Sequence, residues 1–182
     1  MKSPETNIAL VPLDNTEYAD FAERQVAECA RQYVNAGEWT SEESLRRSRE
    51  TQADLLSDVL RSAGHVFFKG IDDDGTRVGW LWVGPAPEFL GEARECKRWL
   101  HQITVEETLR HRGYGRALLA ALHRWLEQPG IEELWLRVYD WSEAARRLYA
   151  GAGYEVMRKF PTDAHLRRRI AKSLTKSDRE KA

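Results

Sequence analysis

The chain has 182 residues, enough for one domain with an ordinary buried core. Its 28 Lys and Arg stand against 29 Asp and Glu, and a net charge of −1 gives no overall pull toward nucleic acid or a membrane surface. An apolar content of 42% with seven Trp argues for a packed globule and excludes a disordered chain.

Cys29 and Cys96 are the two cysteines, without metal-like spacing; they fit a reducing cytoplasm, and no metal is expected. No apolar run is long enough to span a membrane, and Met1-Lys2-Ser3-Pro4-Glu5 does not open like a signal peptide. No internal repeat is visible.

Residues 7–13 read as a short apolar strand ended by Pro12 and Asp14. Asp14 and Glu17 stand at capping-box spacing, and Tyr18, Phe21, Ala22, Val26, Cys29 and Tyr33 recur at helical intervals up to Gly37. Thr40 and Glu43 repeat the box ahead of a second helix marked by Leu45, Leu55, Leu56, Val59 and Leu60 and closed near Gly64. Trp39, between the helices, reads as a packing residue with substrate contact as the alternative. Residues 65–71 and 77–83 predict a hairpin around Asp72-Asp73-Asp74-Gly75, with Trp80 and Trp82 on one face and Leu81 and Val83 on the other. The loop 84–95 carries Glu88, Glu92 and Glu95, which read either as an acidic rim for a cationic amine or as surface solubility.

Lys97 to Val105 predicts a strand whose alternation puts Trp99, His101, Ile103 and Val105 on one face. Four residues after it comes Arg110-His111-Arg112-Gly113-Tyr114-Gly115, then the helix former Arg116 to Leu122. Glycines at a helix entrance admit a ligand close to the backbone, and the first turn's N–H groups and dipole favour an anion, above all a phosphate. Arg110, Arg112 and Arg116 add charge-assisted donors. No Walker loop occurs, and Leu118 spoils a dinucleotide fingerprint. Taken alone, the stretch also fits a Gly-containing turn with solvated arginines. Gln128-Pro129-Gly130 turns the chain into a strand from Glu132 to Tyr139, Ser142 caps a further helix, and residues 154–160 form a strand broken by Pro161.

Beyond Pro161, Leu166, Ile170 and Leu174 sit four apart and predict a helix with a narrow apolar stripe. Seven basic residues against two acidic ones lie between Arg167 and Lys181. The default reading is a solvated helix with a frayed tail; an RNA- or partner-binding tail is the alternative, and a second subunit is the candidate to cover the stripe.

The stretch 110–115 resembles the acyl-CoA motif of the GCN5-related N-acetyltransferase superfamily, Gln/Arg-x-x-Gly-x-Gly/Ala at a strand-to-helix junction. Leu136-Arg137-Val138-Tyr139-Asp140-Trp141-Ser142 through Leu148-Tyr149, then Gly153-Tyr154, is similar to the same family's later block. The resemblance covers about residues 65–160. It departs at Ser142, where the family usually has a cofactor-contacting Asn.

The resemblance implies an α/β (α+β) fold with a mixed, mostly antiparallel sheet of six or seven strands and helices on both faces. It implies residues 1–161 as the N-acetyltransferase domain, followed by the basic segment 162–182. The implied activity is acetyl transfer from acetyl-CoA to a primary amine of a small molecule, peptide or protein, directly and within a ternary complex. A non-catalytic acyl-CoA-binding module is the alternative; nucleic acid and membrane are not expected partners. The implied cofactor contacts are the backbone of Ile103, Thr104 and Val105, the run Arg110, His111, Arg112, Gly113, Tyr114, Gly115 and Arg116, and then Ser142 and Arg146. Tyr149 holds the family's general-acid position, since a phenol stays protonated at neutral pH. For the base, His101 is set against Glu106 and Glu92, and Trp99, Gln102 and Thr104 stand where some relatives keep an acidic residue.

Overall fold

A computed structural model describes residues 7–59, 63–127 and 130–170. Leu60, the Gln128-Pro129 turn and Leu174 lie outside the described residues, as do the side chains of Leu55, Leu56 and Val59. In chain order the elements are β1 (Ile8–Pro12), α1 (Asn15–Asn35), α2 (Ser41–Val59), β2 (Val66–Asp72) and β3 (Arg77–Pro85). They continue with β4 (Lys97–Val105), α3 (Tyr114–Leu126), β5 (Glu133–Tyr139), α4 (Glu143–Gly151), β6 (Glu155–Lys159) and β7 (Asp163–Arg169). One seven-stranded sheet runs β1-β2-β3-β4-β5-β7-β6, antiparallel except for β4 beside β5.

The local signals hold where the chain chemistry is strong. Asp14 accepts from the Glu17 N–H at 2.9 Å, and the Glu17 carboxylate accepts from the Asp14 N–H at 3.2 Å, so both ends of the capping box close. Alternation along β3 splits the interior in two. Leu81 and Val83 join the main core with α3, while Trp80 and Trp82 pack with Phe21 of α1 and Phe67 on the opposite face. Gly70 and Gly79 are cross-strand partners, and a Cβ on either would collide with a Leu118 methyl group. Their bare backbone lets α3 settle onto the sheet and bury Leu118 completely.

One departure sets up the site. Leu81 faces Ile103 and Trp82 faces Gln102, yet Val83 faces Leu100, so His101 is an extra residue in the β3–β4 ladder. Such a bulge reverses the inside–outside parity of the strand and sharpens its twist. Leu100 therefore lies in the core, and Ile103 and Val105 pack against that same core, while His101 stacks on Trp82 across the sheet. The expected common face for His101, Ile103 and Val105 does not exist. Past the bulge β4 leaves its parallel neighbour: the last paired residues are Leu100 and Leu136, although β4 runs on to Val105 and β5 to Tyr139.

The second departure is at the end of the chain. Residues 163–169 form a strand, β7, inserted between β5 and β6, where a helix was expected. A spacing of four residues satisfies a helical turn and an even-numbered strand repeat alike. Ala164 and Leu166 enter the core as alternate residues of β7, and Ile170 follows with its N–H on the Glu132 carbonyl at 2.8 Å. Arg167 pairs with Glu133 and Glu155, both at 3.2 Å, so part of the basic run is neutralised inside the sheet. The boundary placed after residue 161 thus falls within the sheet-forming unit. Among the described residues no helix is long and apolar enough to cross a membrane.

Candidate active site

The gap between β4 and β5 opens into a cavity of about 670 Å³. The Glu106 N–H donates to the Val78 carbonyl at 2.9 Å, and alternation turns the Thr104 backbone toward β3 as well. The backbone groups of Ile103 and Val105 are left facing the gap, with the Val105 carbonyl accepting from Arg110 Nε at 3.3 Å. Thr104 borders the cavity and its hydroxyl accepts from Gln102 at 2.8 Å, while its N–H, expected to be free, is turned toward β3 and not the gap.

At the end of β4 the chain turns through two left-handed residues, His111 at φ 62° and Gly113 at φ 89°. Gly113 is the N-cap of α3 without a side-chain cap, and its carbonyl accepts from the Arg116 and Ala117 N–H groups at 3.0 and 3.1 Å. Successive N–H groups in such a turn, followed by a helix start, form an anion-binding concavity. Arg110, His111 and Gly115 line the cavity; Arg112, Arg116 and Arg146 are exposed and do not. Tyr114 turns aside, its hydroxyl donating to Asp72 at 3.2 Å. A Cβ at Gly115 would rest in ordinary contact with Leu148 and Val105, so packing does not itself require a glycine there.

The helix α4 brings Ser142, Leu148 and Tyr149 to the same cavity. Ser142 occupies the N-cap, its N–H on the Tyr139 carbonyl at 3.1 Å and its carbonyl accepting from Arg146, but its hydroxyl makes no capping bond. The anticipated side-chain cap is absent, and the hydroxyl stays available to the cavity. Tyr149 is 6% exposed, and its hydroxyl makes no hydrogen bond to a described residue. Burial pushes its phenol well above the ordinary tyrosine range, so it keeps its proton throughout the neutral region.

The base candidates fare differently. His101 lines the cavity, but burial first and neighbouring His65 second depress its imidazole to about 3, and its Nε2 is buried without a partner. A ring so reluctant to hold a proton is a weak base. Glu106 lies outside the main cavity, on a second one of about 340 Å³, with its carboxylate accepting from Arg77 and the Trp80 indole at 3.0 and 3.1 Å and from Arg24 at 3.4 Å. Glu92 does not border the cavity, and Glu88 pairs with Arg94 at 3.5 Å; the loop supplies Phe89 instead of an acidic rim. Trp39 stacks on Tyr33, centroids 4.1 Å apart, and it is Tyr33 that reaches the cavity.

Sequence reasoning missed Arg137, Tyr139 and His165, which line the cavity from β5 and β7. The signal was present: Leu134, Leu136 and Val138 belong to the core, so Arg137 and Tyr139 had to face the other way. Among the described residues no group of three or more His, Cys, Asp or Glu is placed to hold a metal ion.

A sheet parted beside an anion-receiving helix entrance, with a buried phenol at the junction, defines an acyltransferase of the N-acetyltransferase type. The profile of the Acetyltransferase (GNAT) family matches residues 31–154, and the chain belongs to that family. It is similar to the uncharacterized N-acetyltransferase YycN of Bacillus subtilis, 28% identical over 148 residues covering 81% of this chain and 92% of YycN. The uncharacterized N-acetyltransferase YdgE of the same organism is also 28% identical, over 80% of this chain and 90% of YdgE. The crystal structure of YycN superimposes with a TM-score of 0.76 at 27% identity, over 85% of this chain and 96% of that one. For the fold alone, the PaiA N-acetyltransferase of Thermoplasma acidophilum, solved in complex with coenzyme A, superimposes with a TM-score of 0.65 at 20% identity, covering 90% and 99%.

Proposed function

We propose that the protein moves an acetyl group from acetyl-CoA to a primary amine by direct attack within a ternary complex. The observation that carries this reading is the parting of β4 from β5 after Leu100 and Leu136, which exposes the Ile103 and Val105 backbone beside the Gly113 turn. A pantetheine arm is an extended chain of amides, and a free strand edge offers it matching donors and acceptors. The PaiA protein of the same fold was solved with coenzyme A, which supports placing that cosubstrate here. Its pyrophosphate would fall at the turn 110–113, with Arg110 and His111 alongside.

In this arrangement the Val105 or Ile103 N–H holds the thioester carbonyl and stabilises the charge that builds on its oxygen. The amine forms the new C–N bond as the C–S bond breaks. Tyr149 gives its proton to the departing sulfur, and the proton shed by the amine goes to water. With His101 neutral and Glu106 committed to arginines, the amine has to arrive already deprotonated. Free Cys29 and Cys96 support a cytoplasmic setting. A buried phenol standing ready in the cavity favours turnover over a silent binding module. The test is acetyl-CoA-dependent thiol release with a panel of amines: release with at least one class supports the reading. Tight CoA binding without release from any amine would return the module.

A further inference from the structure

The cavity has a charge pattern that selects among amines. Glu28 is the one carboxylate among the described residues lining it, and Arg31 pairs with Glu28 at 2.5 Å. Gln32 donates to the same carboxylate at 3.1 Å. A polyamine or an aminoglycoside needs several free carboxylates to replace the water around its charges, and the described lining does not supply them. Arg137 lines the same cavity, exposed and without an ion-pair partner among the described residues. It donates to the Tyr139 hydroxyl, and its guanidinium sits 4.6 Å from that ring, which leaves most of its donors unused. Glu38 and Asp163 are near enough to act on Tyr139 at longer range, yet neither pairs with Arg137 or lines the cavity. Across the sheet Arg137 is in register with His165, whose buried Nδ1 has no partner.

The lining is also aromatic in part. Tyr139 and Trp141 stack with centroids 5.6 Å apart, Phe89 stands edge-on to Trp99, and both Trp141 and Phe89 are open to solvent at 36% and 47% exposure.

Resting on the acetyl-CoA reading above, we propose that the acceptor is an amino acid or short peptide: its α-amine attacks, Arg137 receives its carboxylate, and the aromatic wall holds an aromatic side chain. A planar guanidinium takes a carboxylate through two parallel hydrogen bonds, which also fixes the direction of the amine. The want of a strong base agrees with this. An α-amine loses its proton near pH 8, whereas a lysine-type amine waits until about 10.4, so the former has a useful neutral fraction without help.

The experiment uses the full chain with acetyl-CoA, following thiol release with phenylalanine, a phenylalanine-containing dipeptide, phenethylamine and spermidine, alongside direct measurement of acetyl-CoA affinity. The expected kcat/KM for the better carboxylated amine exceeds that for phenethylamine by roughly 10–100-fold, the range of a charge-assisted contact. Arg137→Met should bring that ratio near one, mainly through KM for the acid, and Arg137→Lys should recover part of it. Equal or better use of phenethylamine or spermidine by the parent protein would overturn the assignment. So would an Arg137→Met protein with an unchanged ratio, or one whose main defect is acetyl-CoA affinity, which would put the guanidinium on the donor. If acetyl-CoA binds but neither carboxylated amine is consumed, the acceptor assignment fails while the cosubstrate reading stands. If acetyl-CoA does not bind at all, both fail.

Discussion

His101 lies nearly flat on Trp82, ring centroids 4.2 Å apart and planes 14° from parallel. The contact follows from the bulge, which turns this one residue of β4 back onto the Trp82 face while Ile103 and Val105 pack on the core side. A stacked, desolvated imidazole is an aromatic wall more than a titrating group.

From this comes a prediction on pH. The folded His101 is depressed to about 3 and the folded His123 to about 4, in both cases chiefly by burial, from an ordinary value of 6.5. The unfolded chain therefore takes up protons first as the pH falls. Stability should be full above about pH 6.5 and decline from there toward pH 4, by at most about 1.4 kcal/mol per pH unit for each histidine. Urea midpoints between pH 7.5 and 4.5 measure it, and His101→Phe should flatten part of the slope. An NMR titration showing His101 protonated at pH 6 would sink the idea and restore it as a base candidate.

Tyr149→Phe tests the proton donor. Turnover should fall by about 10²–10⁴-fold with little change in CoA affinity, the usual worth of general-acid assistance. Because burial raises the Tyr149 phenol well above its ordinary value, its ionisation should impose no falling limb on kcat below about pH 10. Any limb seen between pH 6 and 10 then belongs to another group, and it should persist in the Phe variant. Parental kcat in the Phe variant would end the candidacy of Tyr149.

Gly113→Val addresses the phosphate turn. A Cβ there would meet nothing within 4 Å, so steric collision is not the issue. The residue sits at φ 89°, a conformation that costs a branched L-residue about 1–2 kcal/mol and that the variant escapes by re-forming the turn. Acetyl-CoA affinity by calorimetry should drop severalfold or more while the melting curve stays cooperative. Unchanged affinity would place the phosphates elsewhere.

Leu166→Ala distinguishes the strand from the expected helix. Leu166 is 5% exposed, faces Leu136 across the sheet and belongs to the core, so truncation should cost about 2–5 kcal/mol in denaturant unfolding. A loss under about 0.5 kcal/mol, normal for a surface position, would contradict β7.

What the sequence determined by itself was whatever depends on near neighbours in the chain. The Asp14–Glu17 capping box, the hairpin around Asp72 to Gly75 and the two faces of β3 follow from bonds and alternation within a few residues. The Gly113–Gly115 entrance belongs to the same class, because it lies within one turn and its helix, whereas Tyr149 was singled out by the resemblance of its block to the family. Tertiary structure alone decided the rest. A one-residue bulge at His101 has no local signature, since it is a mismatch between two strands, and it reversed the face expected for His101. The Leu166–Ile170 spacing fits helix and strand alike, and only pairing with β5 and β6 resolved it as β7. Arg137, His165 and Phe89 come from segments far apart in the chain, and only packing set them around one cavity. The strength of a base is likewise a property of surroundings: an ordinary histidine in the sequence became, once buried beside His65 and Trp82, a ring that stays uncharged at neutral pH.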